Sequence, residues 1–269
     1  MRRASKRSRG KTQTAQVAPR RSSYWSLAKT PLHSLLFLLP MVVFYEAGIL
    51  WVHREHLERV RNGGDVMLRQ VMALVGRPGV AASAFVLAIV LLLWQVIAKR
   101  SWRVRLGVLP LMLVESAWLA AVLYLFSLIY GGRFLGAVGP APLLGTAAAG
   151  NGALAALPVT AHLVLCFGNG VYEELVFRLL LVSVLMVLFN KGMGLERTRA
   201  VWWAVGLSAL VFAIAHYVGP MGDPFGWHTF FFRFTAGVFF SVVLAFRGFG
   251  IAAGCHALYD VAVVLIRSL

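Results

Sequence analysis

Seven long apolar runs, 35–52, 80–98, 108–130, 157–189, 200–218, 229–246 and 251–266, decide what this chain can fold into. Each is close to the ~20 residues an α-helix needs to cross a bilayer. In lipid an open backbone N–H or C=O has no water to bond, so a span must be a helix or a strand of a closed barrel. Barrel strands alternate in polarity over roughly ten residues, and these runs do not alternate. The expected fold is therefore all-α, a polytopic transmembrane bundle of seven or eight membrane helices. Composition agrees: only 13% of residues are charged, against about 25% in a soluble domain. The first run is too long for a cleaved signal peptide and has no small-residue cleavage pattern. The longest, 157–189, reads either as one tilted helix or as a helix that breaks near Gly168-Asn169-Gly170. An interior glycine costs only ~1 kcal/mol, so no break is required.

Charge divides the chain into three parts: a disordered basic tail over 1–30, N-terminal transmembrane helices over 31–152, and a core over 153–269. Residues 1–21 hold eight Arg and Lys and no acid, within a net charge of +16. No aromatic interleaving or nucleic-acid module accompanies them, so the expected partner is anionic lipid and no nucleic acid is expected. With the tail inside, the basic loops 99–105 and 191–199 and Arg247 fall on the same side, while 131–152 and 219–228 carry only Arg133 and Asp223. This follows the positive-inside rule, with the N-terminus cytoplasmic. The loop 53–79 breaks the pattern with five arginines, offset in part by Glu55, Glu58 and Asp65, and is read as an amphipathic interfacial element. Cys166 and Cys255 sit in apolar runs and are expected to be packing residues, not a disulfide.

Ionisable groups inside such runs point to function, because each costs ~3 kcal/mol or more at the bilayer centre unless it is paired or faces a wet cavity. Three clusters qualify: Glu173-Glu174 with Arg178, Phe212 with His216, and His256 with Asp260. Glu174 and Arg178 are four apart on one helix face and can form an ion pair. Glu173 lies about 100° around the helix and is left to point into the bundle as a general base for water. A glutamate and a histidine that hold one water make His216 its natural partner. His256 and Asp260 share a face, so Asp260 either sets the histidine's tautomer or joins it at the oxygen of a scissile carbonyl. Two further acids, Glu46 and Glu115, read either as groups along a substrate path or as carboxylates bonded across the bundle.

In order and spacing these motifs resemble the CPBP family, the CAAX protease and bacteriocin-processing intramembrane endopeptidases, which includes the type II CAAX prenyl endopeptidases. The family signature, EExxxR then FxxxH then HxxxN or HxxxD, reads here as Glu173-Glu174…Arg178, Phe212…His216 and His256…Asp260, and the resemblance covers about 155–267. It implies that Glu173 and His216 activate water, that His256 and residue 260 stabilise the oxyanion, and that Glu174, Arg178 and Phe212 support the site. Two positions depart from the pattern. Leu179 stands where glycine often follows the arginine. Asp260 stands where the prenyl endopeptidases have asparagine, and an ionised aspartate cannot donate to an oxyanion. It is then protonated, orients His256, or helps hold a metal.

Two mechanisms stay open. Glu173, His216 and His256 could make a two-histidine, one-carboxylate zinc site with an open position for water. The glutamate–histidine alternative, the favoured one, requires no cofactor. Geometry is the obstacle to both, since nominal depths for His216 and His256 differ by roughly 15 Å. A shared site then requires tilt, shifted boundaries or an unwound segment around 219–226. The expected function is an intramembrane endopeptidase acting on a membrane-associated protein or peptide, in a bacterial inner membrane. A non-proteolytic scaffold or regulator of the same fold is the first alternative. A proton-coupled transporter is the second, and it predicts inverted repeats that are not visible.

Overall fold

The computed structural model describes residues 23–52, 63–74, 76, 79, 81–134, 158–218 and 222–268. Ten α-helices are present among them: α1 (Tyr24–Leu27), α2 (Pro31–Val52), α3 (Gly63–Ala73), α4 (Ala82–Ile97), α5 (Val108–Phe134), α6 (Val159–Glu173), α7 (Val182–Val187), α8 (Arg197–Ala215), α9 (Trp227–Arg247) and α10 (Phe249–Ser268). Two π-helical stretches, Glu174–Leu181 and Leu188–Gly192, flank α7. No strand occurs among the described residues. Five helices are long and apolar enough to cross a membrane: Pro31–Trp51, Val108–Gly131, Arg197–Ala215, Trp227–Arg247 and Phe249–Ser268. The other two expected spans differ in form. The apolar helix α4 has 16 residues, and the fourth run is a relay of α- and π-helical pieces.

That relay settles the first open point. The chain runs helically through Gly168-Asn169-Gly170 without a break, and the irregularity falls one turn later, at the double glutamate. π-Helical turns shift the angular spacing of side chains and recur at functional sites. Here the change begins at Glu174.

α10 is the axis of the bundle, packed by α6, α5, α2 and α9. It is buried without interruption from Phe249 to Ala257. Small residues permit this, since lipid supplies little drive for helix association and close backbone approach must supply it. A Cβ on Gly250 would meet Ser34 and Met112, and one on Gly254 would meet Phe37 and Ser116. At Gly170 the approach is closest: a Cβ there would lie 2.3 Å from the Ala257 nitrogen. α8 and α9 pair separately, and α8 closes against the π-helical stretch, where Ser208 donates to the Phe177 carbonyl.

Two expectations change and one open alternative closes. The tail boundary at residue 30 moves toward the N-terminus: Tyr24–Leu27 form a helical turn, Ala28 is buried, and the Tyr24 hydroxyl donates to Glu115 at 2.5 Å. Residues 1–22 lie outside the described residues. Within the 53–79 loop, α3 is a docked helix. Its Asp65 is fully buried, bonded by Tyr45 at 2.8 Å and by Ser83, and paired with Arg69 at 3.1 Å. Arg54, Glu55, Glu58, Arg59, Arg61 and Arg77 lie outside the described residues. Glu46 and Glu115 are carboxylates bonded across the bundle. Tyr172 donates to Glu46 at 2.9 Å, and Arg247 grips Glu115 with two nitrogens. Cys166 and Cys255 are free and buried.

Candidate active site

The three motifs meet. Glu173 ends α6, His216 caps the C-terminus of α8, and His256 and Asp260 lie on α10. All four are buried or nearly so. Glu173 Oε2 and His216 Nε2 face one another at 3.8 Å. One residue on, Glu174 turns the other way and places Oε1 2.8 Å from His256 Nδ1. The adjacent carboxylates therefore split between α8 and α10, and the expected difference in depth is bridged. His216 sits at the last turn of its helix, followed by a non-helical stretch at 222–226.

Hydrogen bonding orients each ring. The Phe212 carbonyl only accepts, so His216 Nδ1, 2.8 Å away, carries a proton and donates it. In the neutral ring Nε2 is then an acceptor aimed at the Glu173 carboxylate. Neither Glu173 Oε2 nor His216 Nε2 has a hydrogen-bond partner in the protein. Two buried acceptors pointed at each other call for a small molecule with two donor hydrogens between them, which describes water.

His256 is held differently. Glu174 stands at Nδ1, Asp260 Oδ2 lies 3.6 Å from Nε2, and the Phe240 ring stacks on the imidazole at 4.5 Å between centroids. Of the three expected roles for Asp260, this contact favours orientation of His256. Asp260 Oδ2 also accepts from Asn169 Nδ2 at 2.7 Å. Glu174 Oε2 lies 3.4 Å from Arg178 Nε, so the expected i,i+4 pair forms, with Glu174 shared between Arg178 and His256. The Arg178 guanidinium stacks over Phe212 at 3.8 Å, and Phe212 meets His216 edge to face at 4.7 Å. Phe212 therefore separates the buried cation from the histidine and braces both.

A metal does not fit this donor set. Among the described residues no group of three or more His, Cys, Asp or Glu side chains is arranged to hold one. Of the expected trio, Glu173 and His216 face one another, while His256 Nδ1 is taken by Glu174 and its Nε2 faces Asp260.

Residues 155–262 match the family model described as Type II CAAX prenyl endopeptidase Rce1-like. Over these residues the chain is similar to that family. The match covers the helices that carry all three motifs, and residues 1–154 lie outside it. No curated protein and no solved structure matches the chain. With this match and five apolar helices of spanning length among the described residues, the chain is an integral membrane protein.

Three parts of the candidate site carry little signal in the sequence. In the sequence Asn169 reads only as part of a place where a helix can break, although it precedes Glu173 by one turn and so shares its face. The spacing of four pairs Glu174 with Arg178, and a contact to His256 across 82 residues has no local signal. Asp223 reads in the sequence only as a loop charge. Its backbone N–H caps the His216 carbonyl at 2.8 Å and its carboxylate is bonded by the buried Arg233.

Proposed function

We propose that the chain is an intramembrane endopeptidase that hydrolyses a peptide bond in a membrane-associated protein or peptide, with water activated by Glu173 and His216. The observation that carries this is the pair of unpartnered acceptors, Glu173 Oε2 and His216 Nε2, 3.8 Å apart inside a buried site. In the reaction, water oxygen attacks the carbonyl carbon while its proton passes to Glu173. The carbonyl oxygen takes up the negative charge as the tetrahedral adduct forms. The C–N bond then breaks, and the proton held by Glu173 goes to the leaving nitrogen. One water is consumed, and one carboxylate and one amine are released.

Within this reading Glu174 and Asp260 hold His256 from both ring nitrogens, and Arg178 balances the negative charge that Glu174 brings into lipid. A positioned general base contributes typically 10²–10⁴-fold. Seven membrane segments, location in a bacterial inner membrane and a cytoplasmic N-terminus complete the reading, and the distribution of Lys and Arg between loops supports the orientation. The test compares the membrane proteomes of cells carrying the wild-type protein and Glu173→Ala at equal expression. An uncleaved precursor is expected in the variant. Identical proteomes would favour a non-proteolytic scaffold and overturn the assignment.

A further inference from the structure

Stabilisation of the charge that forms on the carbonyl oxygen requires N–H or O–H donors close to it. The ring and guanidinium donors near Glu173 are held in different ways. His216 Nδ1 donates to the Phe212 carbonyl, and the Arg178 guanidinium lies on the Phe212 ring and pairs with Glu174. His256 Nδ1 is taken by Glu174, while its Nε2, 3.6 Å from Asp260 Oδ2, makes no hydrogen bond and can donate to the oxygen where the charge forms. Asp260, at the position where the resembled prenyl endopeptidases carry asparagine, is an acceptor when ionised.

Asn169 differs from all of these. It is 2% exposed and stands on the face of α6 that carries Glu173 one turn later. The close crossing at Gly170 and Ala257 brings it against α10. Its partner there, Asp260 Oδ2 at 2.7 Å, fixes the carboxamide, because a carboxylate must face the NH2 and not the oxygen. That NH2 has two hydrogens, and the contact with Asp260 uses one.

We propose that Asn169 is a catalytic residue of the hydrolase: one amide N–H anchors it on Asp260, and the other hydrogen-bonds the developing oxyanion. The carboxamide that the third motif lacks on α10 is thus supplied from the facing helix, and Asp260 is its holder. This rests on the proteolytic reading above. It also accounts for the pairing of an amide with an acid at the crossing, since either order of the two residues keeps the hydrogen bond and leaves an amide donor beside His256.

The test uses the full-length protein in its own membrane, in cells whose only copy is the variant. The probe is the precursor that accumulates under Glu173→Ala, followed by pulse–chase. Asn169→Ala is expected to slow processing of that precursor by ~100-fold, the loss typical of one oxyanion donor. Asn169→Asp should be as slow. The reciprocal variant Asn169→Asp/Asp260→Asn should recover at least tenfold over Asn169→Asp alone. The apolar pair Asn169→Leu/Asp260→Leu separates chemistry from packing, because replacing both partners of a buried hydrogen bond is nearly neutral for folding. It should accumulate as a monodisperse membrane protein and fail to process. Processing by Asn169→Ala within threefold of wild type, or by the apolar pair at the wild-type rate, overturns the assignment of Asn169 while leaving Glu173 in place. If Glu173→Ala itself accumulates no precursor, the proteolytic reading falls first and Asn169 with it.

Discussion

Gly170→Ala is the sharpest perturbation of the site that touches none of its polar groups. A Cβ at this position would sit 2.3 Å from the Ala257 nitrogen and 2.6 Å from its Cα, against 3.4 Å for ordinary contact, so α6 and α10 must separate by about 1.1 Å. Two of the three nearest atoms are backbone, so no rotamer change relieves the clash, and trimming Ala257 to glycine removes only the third. Overpacking of this kind costs typically 1–3 kcal/mol. The functional effect should be larger. The contacts of Asn169 with Asp260 at 2.7 Å and of Glu174 with His256 at 2.8 Å flank the crossing. Moved apart by the same distance, both pass beyond the ~3.5 Å reach of a direct hydrogen bond. A displacement near 1 Å can cost about 100-fold in rate. The assay pairs thermal unfolding of the detergent-solubilised protein with cleavage of the precursor that Glu173→Ala accumulates. Gly206→Ala is the control, since a Cβ on Gly206 meets nothing within 4 Å. It should leave cleavage unchanged and, by helix propensity, add up to ~1 kcal/mol of stability. The reasoning is refuted if Gly170→Ala unfolds at the wild-type temperature and cleaves at the wild-type rate.

Other consequences can be checked separately. Burial and the hydrogen bond to the Glu115 carboxylate push the Tyr24 hydroxyl from 10.0 to about 12. The folded protein then keeps a proton that the unfolded chain loses above pH 10, so stability should fall as pH rises from 10 to 12. Tyr24→Phe should remove that part of the fall in chemical-denaturation midpoints measured across this range. Asp223→Ala leaves the buried Arg233 without its bonded carboxylate, a loss of about 3–5 kcal/mol where a buried pair is broken from one side. It should lower the unfolding temperature and, by loosening the turn after His216, also slow cleavage. Glu115→Ala should reduce thermal stability by ~1.5–3 kcal/mol through its charged hydrogen bonds without changing the cleavage rate of the folded fraction, since Glu115 pairs with Tyr24 and Arg247 and with no group of the Glu173 site.

Much of the site was legible because the membrane makes charge costly. Glu173, Glu174, Arg178, His216, His256 and Asp260 stood out as ionisable groups in runs that should be apolar, and fixed spacings of four assigned Glu174 to Arg178 and His256 to Asp260. Asn169 carried no such signal. A neutral carboxamide in an apolar run is much less anomalous than a carboxylate, and its partner Asp260 is 91 residues away. The same limit applies to Asp65, which reads in the sequence as a loop charge and is a buried acceptor for Tyr45 and Ser83 in the structure.

By itself the sequence determined that the chain is a helical membrane protein, where most of its helices run, and which few polar groups had to find one another, because an unpaired charge in lipid is too unfavourable to be left alone. It could not determine how those groups divide. Helix periodicity assigns a face within one element and says nothing of which neighbour that face meets. Tertiary structure decided that Glu173 turns to α8 and Glu174 to α10 where the α-helix gives way to a π-helical stretch. It also decided that the near contact of Gly170 with the Ala257 backbone brings Asn169 to Asp260. Both outcomes depend on packing distances between helices, which no local pattern of residues records.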